Sequence, residues 1–154
     1  MIRYMSFEEQ VDKDFERVRR TVFLRRMRAW LQNDLCSDFL LSFEAARGVH
    51  GAFIQVPRGI RTVPVDKIVG SVGRARDFDR AFLPRRAGAG TRWKRVDRTF
   101  YGDEELPPVR LFKIGDEYFV EDGNHRVSVA RYQRVEMIDA LVVEVMTRIP
   151  PENL

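Results

Sequence analysis

The N-terminal part of the chain has the spacing of one long amphipathic helix. Ser6 and Glu9 are three residues apart, which is the spacing of a capping box at the start of a helix. The polar positions that follow carry many arginines, so the pattern predicts a basic amphipathic helix. Apolar side chains recur every three or four positions, which places them on one helix face: Phe7, Val11, Phe15, Val18, Val22, Met27 and Leu31.

A second and shorter helix is predicted from Asp38 to Arg47. Ser37 or Asp38 can cap its N-terminus, and Gly48 can end it. Two consecutive helices joined by a short connection predict a helical hairpin. We therefore expect residues 1–48 to form an N-terminal helical extension and residues 49–154 to form the main domain.

The rest of the chain alternates between short strand-like and helix-like segments. The last of them is almost continuously apolar and β-branched, as expected for a strand covered on both faces. The order of segments predicts an α+β fold with a small mixed β-sheet and packed helices. The pattern predicts strands at 52–56 and 60–65 around a turn at Pro57-Arg58-Gly59, a helix near 93–100, a hairpin over 106–120 that turns at Gly115-Asp116, a helix over 124–134 and a strand over 138–146.

The charge of the chain permits binding to a polyanion without requiring it. There are 27 Lys and Arg residues against 23 Asp and Glu, which gives a net charge of +4. Most of the basic residues are arginine, whose planar fork of donors suits phosphate. The basic N-terminal helix and a basic loop at 85–92 make nucleic acid an alternative partner.

The cysteine, histidine and apolar content of the chain restricts its expected location and its expected cofactors. Cys36 is the single cysteine, so no intramolecular disulfide can form and a reducing cytoplasm is the expected location. No segment has the ~18 consecutive apolar residues of a membrane helix, so we expect no membrane partner. The two histidines and the cysteine are far apart, so we expect neither zinc nor haem and no metal site built by the protein alone.

Candidate chemistry concentrates at one predicted corner between a strand and a helix. Gly123 would allow a positive φ or a close approach to a ligand. The free N–H groups of the helix that follows favour an anion, and His125, Arg126 and Ser128 add donors. The same residues are also consistent with a well-capped helix in which Asp122 or Asn124 is the cap, so both interpretations stay open at this point.

Three sequence segments resemble the ParB/sulfiredoxin-like superfamily. Asp122-Gly-Asn-His-Arg-Val-Ser-Val-Ala-Arg131 and the preceding Leu106-Pro-Pro-Val109 are similar to its central motif at a strand-to-helix corner. Val63-Pro-Val-Asp-Lys-Ile-Val69 resembles its opening strand, and Arg74 falls near the arginine that follows that strand. The resemblance covers residues 61–145 and implies a ParB/sulfiredoxin-like fold.

The resemblance also implies a site and a ligand. Relatives bind nucleotide phosphates at this corner, so it implies CTP, ATP or ADP, with Mg²⁺, as the ligand of this chain. The matching residues are Gly123, Asn124, His125 and Arg126. Sulfiredoxins carry a cysteine where this chain has Asn124, so we do not expect the sulfinic-acid repair reaction. We expect Ser128 to add a hydroxyl and Lys67 and Arg74 to add positive charge on the same side.

Whether the chain is an enzyme is left open by its sequence. Nucleotide hydrolysis or phosphoryl transfer would need a carboxylate and a base, and Asp122 and His125 are the candidates for catalytic residues. One alternative is a DNA-binding or nuclease module of the same superfamily. Another is a catalytically silent protein that binds a partner, or a second copy of itself, through the N-terminal helices.

Overall fold

The computed structural model describes residues 5–34, 38–49, 53–102 and 104–147. This part of the chain forms an α+β fold with a six-stranded mixed sheet and four α-helices, which confirms the predicted class. In this part, no helix is long and apolar enough to cross a membrane. The elements are α1 Phe7–Leu31, β1 Leu41–Ser42, α2 Phe43–Val49, β2 Phe53–Pro64, β3 Ile68–Ser71, α3 Gly90–Tyr101, β4 Val109–Ile114, β5 Glu117–Asp122, α4 Asn124–Tyr132 and β6 Met137–Thr147.

The strand order places the ends of two parallel strands beside the start of α4. Across the sheet the order is β1-β3-β5-β4-β6-β2. β1 with β3, β3 with β5, and β4 with β6 are parallel pairs, whereas β4 with β5 and β2 with β6 are antiparallel. Because β3 and β5 run in the same direction, their carboxyl ends lie side by side. α4 begins directly after β5, so the predicted corner lies at that edge of the sheet.

Successive residues of β5 show how the helices are divided between the two faces of the sheet. Val120 belongs to a buried cluster with Val127 of α4, and its neighbour Phe119 belongs to another cluster with Phe43 of α2. Neighbouring strand residues point to opposite faces, so α4 and α2 cover opposite sides. A further cluster joins α1 to α3 and α4 through Phe15, Val18, Val22, Trp93 and Val129.

The predicted helical hairpin at the N-terminus is therefore wrong. α1 packs on α3 and α4, whereas α2 lies on the other face of the sheet. α2 also begins at Phe43 rather than at Asp38, because Leu41 and Ser42 pair with Gly70 and Ser71 of β3. The proposed cap Ser37, like Cys36, lies outside the described residues.

Two of the strand predictions also need correction. The predicted turn at Pro57-Arg58-Gly59 is a bulge within the single strand β2, because both flanking runs pair with β6. The prediction that the last strand is covered on both faces is wrong for β6, in which Leu141 and Met146 are exposed. The helix near 93–100, the hairpin with its turn at Gly115 and the helix after Gly123 are confirmed.

A buried pair of carboxyl groups joins α1 to α3. Asp14 of α1 accepts hydrogen bonds from Tyr101 at 2.6 Å and from Tyr132 at 3.1 Å, and Asp97 of α3 accepts one from Gln133 at 2.8 Å. Burial, and then the neighbouring Asp14 carboxyl group, raises the pKa of Asp97 to about 7. Burial alone would raise the pKa of Asp14 too, but the neighbouring Asp97 and the hydrogen bonds from Tyr101, Gln10 and Tyr132 together lower it. At neutral pH the pair is thus close to sharing one proton.

Candidate functional site

The corner between β5 and α4 requires a glycine. Gly123 has φ +104°, and a Cβ atom there would lie 2.6 Å from Cγ1 of Val109. Its left-handed conformation turns the chain from β5 directly into α4. The backbone N–H groups of Asn124, His125 and Arg126 find no acceptor among the described residues. The corner therefore offers a helix N-terminus with free donors, as the sequence predicts.

Two polar side chains of the corner point into the protein rather than towards a ligand. Asn124 is buried, and its Oδ1 accepts a hydrogen bond of 2.8 Å from the hydroxyl of Ser71 at the end of β3. Ser128 is fully buried, and its hydroxyl accepts a hydrogen bond of 3.0 Å from the indole of Trp93. Asn124 thus ties the corner to β3. Ser128, which we expected to add a hydroxyl to the site, belongs to the core.

Arg126 is occupied by contacts within the protein. One terminal nitrogen donates to Asp122 at 2.8 Å. The other donates to the backbone carbonyls of Pro107 and Pro108, at 2.6 and 3.1 Å. Arg126 therefore holds the Pro-Pro segment against the corner, and Asp122 serves as its carboxylate partner. Although a ligand could still approach it, its main contacts position the backbone.

His125 is a neutral imidazole without hydrogen bonds. Both ring nitrogens are buried and have no partner among the described residues. The ring packs edge-on against Phe78, with 5.5 Å between centroids. Burial, and then the charges of Arg74 and Arg92, lower its pKa to about 4, against the opposing effect of Asp77. At neutral pH His125 can donate one hydrogen bond and accept another, but it carries no positive charge.

An open cleft lies over the corner, with a second cleft beside it. Their volumes are about 380 and 310 Å³, and both are lined by Arg74, Arg92 and His125. The larger cleft extends to Arg95 and along the corner itself, and the smaller one extends to Arg86. Together they have the size of a pocket for a small ligand.

The cleft has more guanidinium groups than carboxylates. Each of its acidic side chains has an arginine beside it: Asp77 pairs with Arg74 at 2.9 Å, Asp122 pairs with Arg126, and Glu121 lies 3.6 Å from Arg110. Three arginines that line the cleft have no carboxylate partner among the described residues, and these are Arg86, Arg92 and Arg95. The unbalanced charge is positive and faces the free N–H groups of α4.

Lys67 does not join this cluster. It precedes Ile68, which pairs with Tyr118 near the start of β5, whereas Ser71 at the other end of β3 lies next to the corner. Four strand residues span roughly 10–13 Å, so Lys67 is at the opposite edge of the sheet. Arg74, the other expected source of positive charge, does line the cleft.

The arginines without partners come from the predicted basic loop at 85–92 and from the predicted helix near 93–100, which in the structure begins earlier, at Gly90. Arg86 precedes a short 3-10 turn at 87–89, Arg92 lies in the first turn of α3, and Arg95 follows about one turn later in the same helix. The high density of arginine there was a visible signal. The sequence did not show that these arginines lie over the corner, because their location depends on how α3 packs against α4.

The described residues contain no group of three His, Cys, Asp or Glu side chains that could hold a metal ion. A cation such as Mg²⁺ would therefore need ligands from a bound phosphate in addition to Asp122.

No protein-family model, curated protein or solved structure matches this chain. The resemblance to the ParB/sulfiredoxin-like superfamily therefore stays a prediction.

Proposed function

We propose that this chain is a ParB-like domain that binds the phosphates of a nucleotide, CTP, ATP or ADP, in the cleft at the β5–α4 corner. The observation that carries the proposal is the pair of arginines without carboxylate partners, Arg92 and Arg95, in the cleft at a helix N-terminus with free N–H groups, with Arg86 in the adjoining cleft. Guanidinium groups and such N–H groups both bind phosphate oxygens through charge-assisted hydrogen bonds.

The position of the cleft in the sheet supports the same proposal. It lies beyond the carboxyl ends of the parallel strands β3 and β5, where ligands bind in open sheets that contain parallel strands. His125 adds a further argument, because a buried imidazole without partners costs about 1–3 kcal/mol relative to a hydrogen-bonded one. A phosphate oxygen or a nucleoside hydroxyl would supply the missing partner.

In this proposal Arg92 and Arg95 are the main phosphate-binding arginines, rather than Arg126, which the resemblance implies. Arg126 keeps the Pro-Pro segment and Asp122 in place, as its hydrogen bonds indicate. Arg74 adds positive charge although it is partly neutralised by Asp77. The ligand's negative charge would thus meet two unpaired guanidinium groups and the start of α4 together.

Isothermal titration calorimetry of the whole chain with CTP, ATP and ADP, with and without Mg²⁺, tests this proposal. We expect Arg92→Gln and Arg95→Gln each to weaken binding by about tenfold or more, because each removes a charge-assisted hydrogen bond worth about 1.5–3 kcal/mol. Lys67→Gln is the matched control, since it removes a cation at the opposite edge of the sheet. Absence of binding at about 1 mM, or equal losses in all three variants, would refute the proposal.

Turnover is a separate question that the same proteins can answer. Release of phosphate from CTP or ATP that is abolished by Asp122→Asn or His125→Gln would assign hydrolysis or transfer to the corner. Binding without release would make the chain a nucleotide-binding domain only.

A nucleic-acid partner would use the same guanidinium groups. A gel-shift series with duplex DNA at rising salt distinguishes it, because contacts to backbone phosphates give an affinity that falls steeply with salt. DNA binding that depends on Arg92, together with no binding of free nucleotides, would favour that alternative.

A further inference from the structure

The last turns of α1 carry a second apolar face that the rest of the described chain leaves exposed. The first face, which includes Val18 and Val22, is buried against α3 and α4. Beyond Val22 the apolar side chains are between 43 and 72% exposed, and these are Phe23, Leu24, Met27, Trp30 and Leu31. Exposed apolar residues that occur singly are normal, but a contiguous patch of this kind marks an interaction surface.

Helical geometry shows that these residues form one stripe. At 3.6 residues per turn they occupy about 120° of the helix circumference, beginning about 80° from Val22. Arg19 and Arg26 border the stripe on one side, and Arg17 and Arg28 border it on the other. Arg20 lies within it. The sequence has no Asp or Glu between positions 17 and 33, so the charges beside the stripe residues are positive, and the nearest acidic residues, Glu16 and Asp34, lie beyond its two ends.

The stripe also forms one wall of a groove. Phe23, Met27 and Trp30 face Phe39 across a space of about 770 Å³. The rim carries Arg19, Arg26 and Arg85, and its one carboxylate, Asp38, is already paired with Arg85. The groove is therefore apolar at its base and positively charged at its rim.

We propose that this groove and stripe bind an amphipathic helix of a partner protein, with apolar anchor residues flanked by Asp and Glu. Charge complementarity selects this occupant. A second copy of the chain would bring arginines against arginines, which is unfavourable. A lipid bilayer would leave the concave groove unfilled and would force Arg20 towards the acyl chains. A partner helix can fill the groove with large side chains spaced i, i+4 and i+7 and can pair its carboxylates with both borders.

A designed probe peptide tests the proposal on the whole chain. The probe is an amphipathic helix of about 20 residues with Leu and Phe on one face and Glu on both borders, and its matched control has Lys in place of each Glu. Trp30 is 68% exposed, whereas Trp93, the other tryptophan, is fully buried. A blue shift of tryptophan emission on peptide addition therefore reports occupation of the groove.

We expect the Glu peptide to bind and the Lys peptide not to bind. Binding should weaken with salt, and the exposed substitution Phe23→Ser should reduce affinity at least about tenfold. Ile60→Ser, at a similarly exposed apolar residue of β2, should leave affinity unchanged. Equal binding of both peptides, or no effect of Phe23→Ser, would overturn the proposal. Two other results would also overturn it: binding to anionic vesicles that Phe23→Ser abolishes, or sedimentation of a dimer that Phe23→Ser dissociates.

Discussion

Replacing Asp97 by asparagine should make the protein more stable at neutral pH while leaving its stability near pH 4 unchanged. The folded state raises the pKa of Asp97 to about 7, from an ordinary value of 3.8. Between these values the folded protein holds a proton that the unfolded chain has released. Stability from this group is therefore fully present below about pH 4 and is lost as the pH rises through 7. Asparagine imitates the protonated acid and cannot ionise.

The size of the stabilisation follows from the difference between the two pKa values of Asp97, 3.8 and about 7. A shift of about three pKa units corresponds to about 4 kcal/mol, which is an upper value because Asp14 shares in the titration. Gln133 after α4 donates a hydrogen bond to Asp97, and the titratable groups that interact with it electrostatically are Asp14 of α1 and Tyr101 of α3. For a chain of this length, 1 kcal/mol moves Tm by about 2–4 °C, so Asp97→Asn should raise Tm at pH 8 by up to about 15 °C.

Thermal unfolding from pH 4 to pH 8, followed by circular dichroism, measures the difference between the variant and the wild type. That difference should rise with pH and level off above about pH 7. Other groups that titrate in this range, including Asp79, whose pKa burial also raises, are common to both proteins and cancel. Asp116→Asn, in the exposed hairpin turn, controls for the loss of a surface carboxyl group. A difference that is constant across pH, or that falls as pH rises, would show that the carboxyl pair does not hold a proton.

Three further substitutions test the corner. In the wild type the free energy of unfolding should fall by about 3 kcal/mol as the pH falls from 6.5 to 4, because the pKa of His125 is lowered to about 4 in the folded state. His125→Gln should remove this pH dependence. Unfolding curves in that pH range measure it, and the same pH dependence in the variant and the wild type would contradict it. Gly123→Ala should lower the free energy of unfolding, measured by urea denaturation, by about 2–4 kcal/mol, because alanine there has a positive φ and its Cβ clashes with Val109. A loss below about 1 kcal/mol would mean that the backbone of the corner shifts to accommodate the Cβ. Ser71→Ala should lower the free energy of unfolding in the same assay by about 1–3 kcal/mol, because it removes the hydroxyl that donates to buried Asn124. An unchanged free energy of unfolding would mean that another group donates to Asn124 instead.

Structure with a strong local signal could be predicted from the sequence. The capping box at the start of α1 is present, with Ser6 and Glu9 bonded to each other's backbone N–H groups at 3.2 and 3.3 Å. Gly115 and Gly123 both have the positive φ that the predicted turn and corner require. In each case the conformation depends on a few neighbouring residues, so no knowledge of distant partners was needed.

The failed predictions concern pairing between distant segments. Leu41 and Ser42 form a strand only because β3, almost thirty residues later, offers its edge. Pro57-Arg58-Gly59 has the chemistry of a turn, yet the strand continues through it because β6 pairs on both sides. Local propensity favoured the wrong structure at both places, and tertiary pairing overrode it.

The same limit applies to the candidate site. The sequence locates the corner and identifies its polar residues, but it does not show where each side chain points. Ser128 bonds to Trp93 and Arg126 bonds to the Pro-Pro segment, so the packing of α3 and of the segment before β4 decides both roles. Arg92 and Arg95 reach the cleft by the same packing. Their part in the site became visible only with the fold.

The bulge in β2 has a consequence for association between molecules. β2 is twelve residues long and forms one border of the sheet, so its outer backbone groups could pair with a strand of another molecule. Pro57 lacks an N–H group, and the bulge at Pro57–Gly59 interrupts the regular spacing of the remaining groups near the middle of the strand. No uninterrupted run much longer than half of β2 is left for an incoming strand to match. We therefore expect the bulge, which has the sequence of a turn, to disfavour pairing between molecules along this border.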